Sequence, residues 1–262
     1  MRGEVKEVKG LVIRTTDIRE SDRILTIFTE ELGVISALAT GARTLKSRKM
    51  SSTMQFCYAS YVLTKSGEHY RIAEAELIES FFGIRNSIEG LALAGYVAEV
   101  LSDVTVAQAE RELLRLALNT LYAISEEKYP LIKIKAAFEA RCAAVLGFMP
   151  EVIHCSECGE REGSFYFDIM GGSIMCYECN ERRTRARIPL GDPHESHIVS
   201  ILSETAKVAL GYCVHAPLEK LFSFNVPDED MQLLAKATEL YFTNQMERTY
   251  KTLEFYNSVK RN

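Results

Sequence analysis

The chain has 262 residues, 31 Lys and Arg against 36 Asp and Glu, and a formal net charge of −5 with 47% hydrophobic residues. That length holds one large or two ordinary domains, and that balance belongs to a folded chain rather than a disordered one. No apolar run approaches the ~20 residues needed to cross a bilayer, and the opening MRGEVKEVKG lacks the apolar centre of a secretory signal. The expected location is therefore the cytoplasm, where the seven cysteines are thiols or metal ligands before they are disulfides.

Residues 1 to about 80 are expected to be β-structure. GLVIRTTDI is a strand rich in β-branched residues. DRILTIFTEELGVISALATGA holds two strands around EELG, with Gly33 at the turn. CYASYVLTKSGEHYRIAEAELIES alternates on both sides of KSGE, as a hairpin does. Five short strands separated by Gly-bearing turns predict a small barrel or sandwich, and a five-stranded barrel of the OB type fits the count.

From Asn86 the period changes to that of a helix. NSIEGLALAGYVAEVLSDV places Asn86 and Glu89 as N-cap and N3 of a capping box. AQAERELLRLALNTLYAIS is a second amphipathic helix. PLIKIKAAFEARCAAVLGF is a third, with Pro130 in its first turn and Gly147 at its C-terminal cap. After Pro189, HIVSILSETAKVALGYCVH is expected as one helix, and a long amphipathic segment runs from VPDEDM to the end. The expected fold class is α+β multidomain: an OB-type barrel over 1–82, a helical domain over 83–150 and 188–262, and a cysteine module over 151–187 inserted into it.

HCSECGE and MCYECNE set Cys155, Cys158, Cys176 and Cys179 in a C-x2-C-x17-C-x2-C pattern. Each C-x-x-C turn aims two thiolates at one point, and two such knuckles flanking a hairpin supply four tetrahedral ligands. SFYFDIMGGSIM is that hairpin, with Gly171 and Gly172 at its turn; Gly159 suits the exit from the first knuckle. The pattern predicts one structural Zn²⁺, with redox thiols or plain buried thiols as the alternatives. Four thiolates close the coordination shell, so the site is not a catalytic one. His154 adjoins Cys155 as a possible substitute ligand. Arg161, Arg182 and Arg183 are candidate counter-charges, and the arginines of ERRTRAR (Arg182, Arg183, Arg185, Arg187) are either charge-balancing surface or nucleic-acid contacts. Cys57, Cys142 and Cys213 stand singly in apolar surroundings and are expected as core thiols.

No enzymatic signature accompanies the quartet. A G-x-x-x-x-G-K-[ST] phosphate loop, an H-x-E deaminase motif and a G-x-S-x-G nucleophile turn are all absent, and His194 and His197 lie in a Gly/Pro loop without partners. The basic stretch is more informative. GARTLKSRKMSS carries Arg43, Lys46, Arg48 and Lys49, no acid occurs from Leu32 to Gly67, and Phe56, Tyr58 and Tyr61 follow. Sequence-indifferent single-strand binders combine a basic groove with aromatic faces, and the OB barrel is a frequent host. The competing reading is a solvated loop whose aromatics face the core.

These residues also carry a resemblance. KGLVIRTTDIRESDRILTIFTEELGVISALATGARTLKSRK, YRIAEAELIESFFGIRNS, FEARCAAVLGFMPEVIHCSECG, GGSIMCYEC and ERTYKTLEFYNSV are together similar to the RecO family of bacterial recombination-mediator and DNA-repair proteins. Some members of that family lack the complete cysteine set; this chain retains all four. The resemblance implies an N-terminal OB domain, a helical domain and an inserted zinc finger. It implies binding of single- and double-stranded DNA, annealing of complementary strands, and, with RecR, help for RecA in replacing single-strand-binding protein (SSB), whose acidic C-terminal tail many members engage. By position it assigns DNA contact to Arg43, Lys46, Arg48 and Lys49. Arg14, Arg19 and Arg23 lie in the matching run, but Asp17, Glu20 and Asp22 beside them make a salt-bridged surface equally expected. For the SSB tail, Lys133, Lys135 and Arg141 are available as a basic rim, with a solvated helix face as the alternative. The rival function is a zinc-containing protein-interaction adaptor whose DNA contact is incidental.

Overall fold

The computed structural model describes residues 5–66, 69–104, 110–186 and 198–260. The chain forms two compact units, Met1–Lys128 with Tyr250–Asn262, and Tyr129–Thr249. The boundaries expected at 82 and 150 follow changes of sequence period, whereas these units follow packing.

In the first unit, β1 (Val5–Ile18), β2 (Asp22–Thr29), β3 (Gly33–Ala39), β4 (Tyr58–Ser66) and β5 (His69–Glu79) form a closed barrel in the order β1-β2-β3-β5-β4. This is the expected OB-type strand count and closure. Alternation sorts the side chains: Ile35, Ala37 and Ala39 point into the barrel while Val34 and Ser36 face solvent. Val8, Val12, Leu25, Ile27, Leu63 and Ile72 complete the core with Tyr61. A bulge between Val12 and Arg14 interrupts the alternation, so Val12 and Ile13 are both buried. At Gly10 an added Cβ would collide with Ile27 Cγ2. A glycine is what lets β1 approach β2 there. The turn expected at KSGE falls between β4 and β5, and its Gly67 and Glu68 lie outside the described residues.

Three helices belong to the same unit: α1 (Ile88–Asp103), α2 (Glu110–Ser125) and the C-terminal α7 (Lys251–Val259). The cap of α1 is Ser87, whose hydroxyl accepts from the Gly90 N–H at 2.9 Å. Asn86, the expected cap, ends a short 3-10 turn and instead donates to Glu127 Oε1 at 3.1 Å. Helix α7 packs on α1, where Glu99 accepts from the Thr252 N–H at 3.0 Å and from the Thr252 hydroxyl.

The second unit contains α3 (Leu131–Val145), β6 (Phe165–Asp168), β7 (Ser173–Cys176), α4 (Tyr177–Ala186), β8 (Val199–Leu202), α5 (Glu204–His215) and α6 (Asp228–Gln245). Two sequence expectations are corrected here. The segment read as one helix from His197 begins as strand β8, paired antiparallel with β6, and α5 starts only where the Ser203 hydroxyl accepts from the Ala206 N–H. The long C-terminal segment is two helices, α6 and α7, interrupted after Gln245, with Glu247 at φ 50.

Helix α3 is buried on every side against α5 and α6. The solvated face expected for Lys133, Lys135 and Arg141 is therefore wrong, because all three are buried. Lys133 Nζ donates to the Phe224 carbonyl at 2.6 Å and Asn225 Oδ1 at 3.1 Å. Arg141 donates to the carbonyls of Cys213 and Ala216. Lys135 lies between Glu139 at 3.0 Å and Glu239 at 2.8 Å. Burial works against its ammonium, but these two carboxylates hold it above the usual lysine range. Burial raises the carboxyl of Glu139, which also accepts from the Thr238 hydroxyl at 2.9 Å. A buried charge that loses one partner is expensive, at about 3–5 kcal/mol. Glu139→Ala is expected to lower the unfolding free energy by an amount near the bottom of that range, because Glu239 remains. Urea unfolding followed by circular dichroism checks this, with the isosteric Glu139→Gln expected to lose less.

Candidate metal centre and nucleic-acid interface

The sulfurs of Cys155, Cys158, Cys176 and Cys179 all lie within 4.8 Å of one another. The first knuckle is a turn closed by the Gly159 N–H on the Cys155 carbonyl at 3.0 Å, with Gly159 at φ 79 making the exit. The second spans the end of β7 and the first turn of α4. Between them the β6–β7 hairpin turns through Gly172 at φ 66, while Gly171 is not in the left-handed region. Gly172 is doubly required, since a Cβ there would also meet the Tyr241 hydroxyl at 2.6 Å. Tyr241 of α6 packs on Phe167 with ring centroids 5.1 Å apart, and Gln245 Nε2 donates to the carbonyls of Ile169 and Met170. Lys207 of α5 donates to the Arg161 carbonyl and lies over the Phe165 ring. The module is thus fastened to the helices of its own unit.

The donor set fits a tetrahedral thiolate metal. Bond lengths near 2.3 Å place sulfurs about 3.8 Å apart in a tetrahedron, and Cys158 and Cys176 are separated by 3.7 Å. Backbone N–H groups of Cys176 and Cys179 point at the sulfurs of Cys155 and Cys176, at 3.3 and 3.5 Å. Burial opposes ionisation of Cys155, yet the N–H groups of Cys176, Cys158 and Glu157 bring its thiol down to about 6. Burial, and then the sulfurs around it, push Cys179 up to about 12. The Cys155 thiolate forms readily, whereas burial disfavours ionisation of Cys176 and Cys179 until a cation lies among the sulfurs. His154 is not part of the cluster; its Nδ1 lies 3.3 Å from the Cys155 carbonyl. Arg183 pairs with Glu157 of the first knuckle and Arg185 with Glu181. His194, His197 and Arg187 lie outside the described residues. Cys57, Cys142 and Cys213 are buried, and burial raises each thiol, Cys213 to about 12.

The basic stretch occupies the connection between β3 and β4. It is built as consecutive tight turns: Thr44 N–H to Gly41 carbonyl, Ser47 to Thr44, and Met50 to Ser47. Arg43, Lys46 and Lys49 hold the third position of these turns in succession. The four cations then separate into two kinds. Arg43 lies 3.3 Å from Asp17 and donates to the carbonyls of Arg19 and Glu20. Lys49 Nζ donates to the Ile72 carbonyl at 2.8 Å. Lys46 and Arg48 are exposed and make no hydrogen bond or ion pair among the described residues. Asp17 also takes Arg23 at 2.7 Å, and that guanidinium, with Arg43 behind it, holds the carboxyl below its usual range. Arg19 pairs with Asp22 at 3.6 Å, so Arg19 and Arg23 belong to a salt-bridged surface, and Arg14 is exposed. Of the aromatics, Phe56 and Tyr61 are core and Tyr58 is half-buried. Tyr61 donates to the Ser52 carbonyl at 2.7 Å, fastening the loop to the barrel.

Comparison with known proteins places this architecture. The family pattern described as Recombination protein O N terminal matches residues 1–81, and that described as Recombination protein O C terminal matches 85–254. The chain belongs to the RecO family. A DNA repair protein RecO of Acetivibrio thermocellus is 34% identical over 97% of both chains. A relative of the same name from Thermoanaerobacter is 28% identical over 97% of this chain and 98% of its own. The family implied by the sequence motifs is therefore shown, and the RecO membership covers the barrel, the helices and the cysteine module alike. Among the described residues, no helix is long and apolar enough to cross a membrane.

The thiolate site makes a direct prediction. Cys155→Ser is expected to lower the metal content of purified protein and to open residues of the 151–187 module to protease, with little effect on the barrel, because metal binding is part of that module's folding free energy. Elemental analysis and limited proteolysis of the two proteins check it; full occupancy and unchanged digestion would refute a four-cysteine site.

Proposed function

We propose that the protein is a DNA-repair and homologous-recombination mediator that acts without covalent chemistry. It binds single- and double-stranded DNA, anneals complementary strands and, with RecR, helps RecA load onto DNA coated by SSB. Membership of the RecO family supports the reading, and the observation that carries it is a turn-built basic loop hydrogen-bonded to a closed barrel, in which Lys46 and Arg48 have no partner among the described residues. Arg43, Lys46, Arg48 and Lys49 are assigned to phosphate contact. Lys46 and Arg48 are immediately free for it, whereas Arg43 must exchange Asp17 and Lys49 must exchange the Ile72 carbonyl. Cations that replace phosphate counterions bring two polyanions together, and base pairing then selects the partner strand.

The ion in the cysteine centre is Zn²⁺ in a structural role, stapling the inserted module of residues 151–187. An SSB tail, acidic with an apolar end, is engaged by groups other than Lys133, Lys135 and Arg141, which are committed to internal partners. The working place of such a protein is the bacterial cytoplasm at the nucleoid.

The test is single-stranded DNA affinity as a function of salt. Changing Arg43, Lys46, Arg48 and Lys49 together to Ala is expected to weaken binding and to flatten the log–log slope by roughly 0.7 for each lost phosphate contact. Lys46→Ala with Arg48→Ala is expected to account for at least half of that change. Identical curves, with the fold and metal content intact, would remove the loop from the DNA-binding surface.

A further inference from the structure

The loop that carries the free cations also carries the most exposed large apolar side chain among the described residues. Leu45 is 94% exposed, between Arg43 and Lys46 and three residues before Arg48. It occupies the second position of the turn that the Ser47 N–H closes on the Thr44 carbonyl. The loop is not short of places to hide apolar groups: Ala42 joins the barrel core, and Phe56 is buried although its φ of 67 is costly for an aromatic residue. The same loop therefore buries Ala42 and Phe56 and turns Leu45 outward. Met50 and Met54, further along it, are also exposed, and thioether side chains adapt to irregular apolar partners.

Resting on the assignment of this loop to DNA, we infer that Leu45 is a base-contacting residue that gives the loop a preference for single-stranded over double-stranded DNA. Lys46 and Arg48 bring a phosphate backbone to the tip. In a duplex the base faces are stacked on one another, so a side chain at the tip meets sugar and phosphate. In a single strand the faces beside that backbone are open, so an apolar side chain reaches them without the unstacking cost, a few kcal/mol per step, that a wedge into a duplex incurs. A leucine among cations thus adds affinity only where bases are unstacked. This contact is uncharged, which separates it from the salt-dependent part of binding.

The experiment compares Leu45→Ser with the wild-type full-length protein on a deoxythymidine oligomer and on a duplex of matched length, each across a salt series. Because the side chain touches so little of the protein, the substitution leaves folding intact, which a thermal melt confirms. Loss of roughly half the burial of a leucine corresponds to single-strand affinity about 3- to 10-fold weaker, with the salt slope unchanged and duplex affinity within about twofold. Leu45→Trp is expected to restore or exceed wild-type single-strand affinity. Unchanged single-strand affinity, or an equal loss on both substrates, overturns the inference. Lys46→Ala with Arg48→Ala separates the two levels. If that pair flattens the salt slope while Leu45→Ser changes nothing, only the base contact fails. If the pair leaves the slope unchanged, Lys46 and Arg48 do not touch phosphate, and the assignment of the loop tip to DNA fails together with the base contact that rests on it.

Discussion

Closing a barrel of five strands requires its first-paired and last-paired strands to meet. Here the junction of β3 with β5 is short: Ala37 pairs with Tyr70 and Leu38 with Arg71. Residues 40–57 reinforce that end. Ala42 enters the core, Lys49 reaches across to the Ile72 carbonyl on β5, and the Phe56 N–H and the Val12 N–H bond reciprocally to the carbonyls of Val12 and Cys57 on the far side. The basic stretch is thus part of the barrel's closure before it is anything else. Its functional reading follows from that constraint. A segment tied at both ends and folded into tight turns presents Leu45, Lys46 and Arg48 with little freedom left to lose on binding, which preserves affinity that a slack loop would forfeit to ordering.

The same economy of charge governs the second unit. Lys133, Lys135 and Arg141 look in the sequence like a basic helix face, but each closes a tie inside the protein: to residues 224–225 of the segment that precedes α6, to α6 itself and to the end of α5. Arginines near the cysteine module pair with Glu157 and Glu181. Formal charge therefore overstates what any partner can use. Buried ion pairs of this kind confer modest net stability because desolvation offsets attraction, yet they penalise strongly any arrangement that leaves one charge alone. They fix how α3 sits between α5 and α6 more than they deepen the energy well.

Local patterns revealed the strands and the cysteine centre because the physics there is local. Alternation along β3, the Gly33 turn and the paired C-x-x-C knuckles each announce themselves within a few residues. Most of the failures are places where a distant group decides. Asn86 and Ser87 are both good helix caps, and Glu127 settles the choice by taking Asn86. VSIL suits helix and strand alike, and becomes β8 because β6 lies beside it with a free edge. For α3, part of the signal is local. Ala136, Ala137, Ala140, Ala143 and Ala144 gather within about a third of the helix circumference, a stripe of small residues suited to the close approach of a neighbouring helix.

An annealing protein has opposed requirements, since two strands must be held close enough to pair and released once paired. A uniformly basic surface meets the first and defeats the second. This chain is acidic overall, and of the four cations in the basic loop Lys46 and Arg48 are the two without a partner among the described residues. On the proposed reading, electrostatic affinity is consequently small per site and rapidly reversible, while Arg43 can return to Asp17 whenever a phosphate leaves. An uncharged contact that exists only with unstacked bases adds a release step of its own. As a strand enters the duplex its base faces stack, the contact with Leu45 is lost, and the product binds less well than the reactant. Weak charge and a contact that pairing abolishes together favour turnover of strands over their capture.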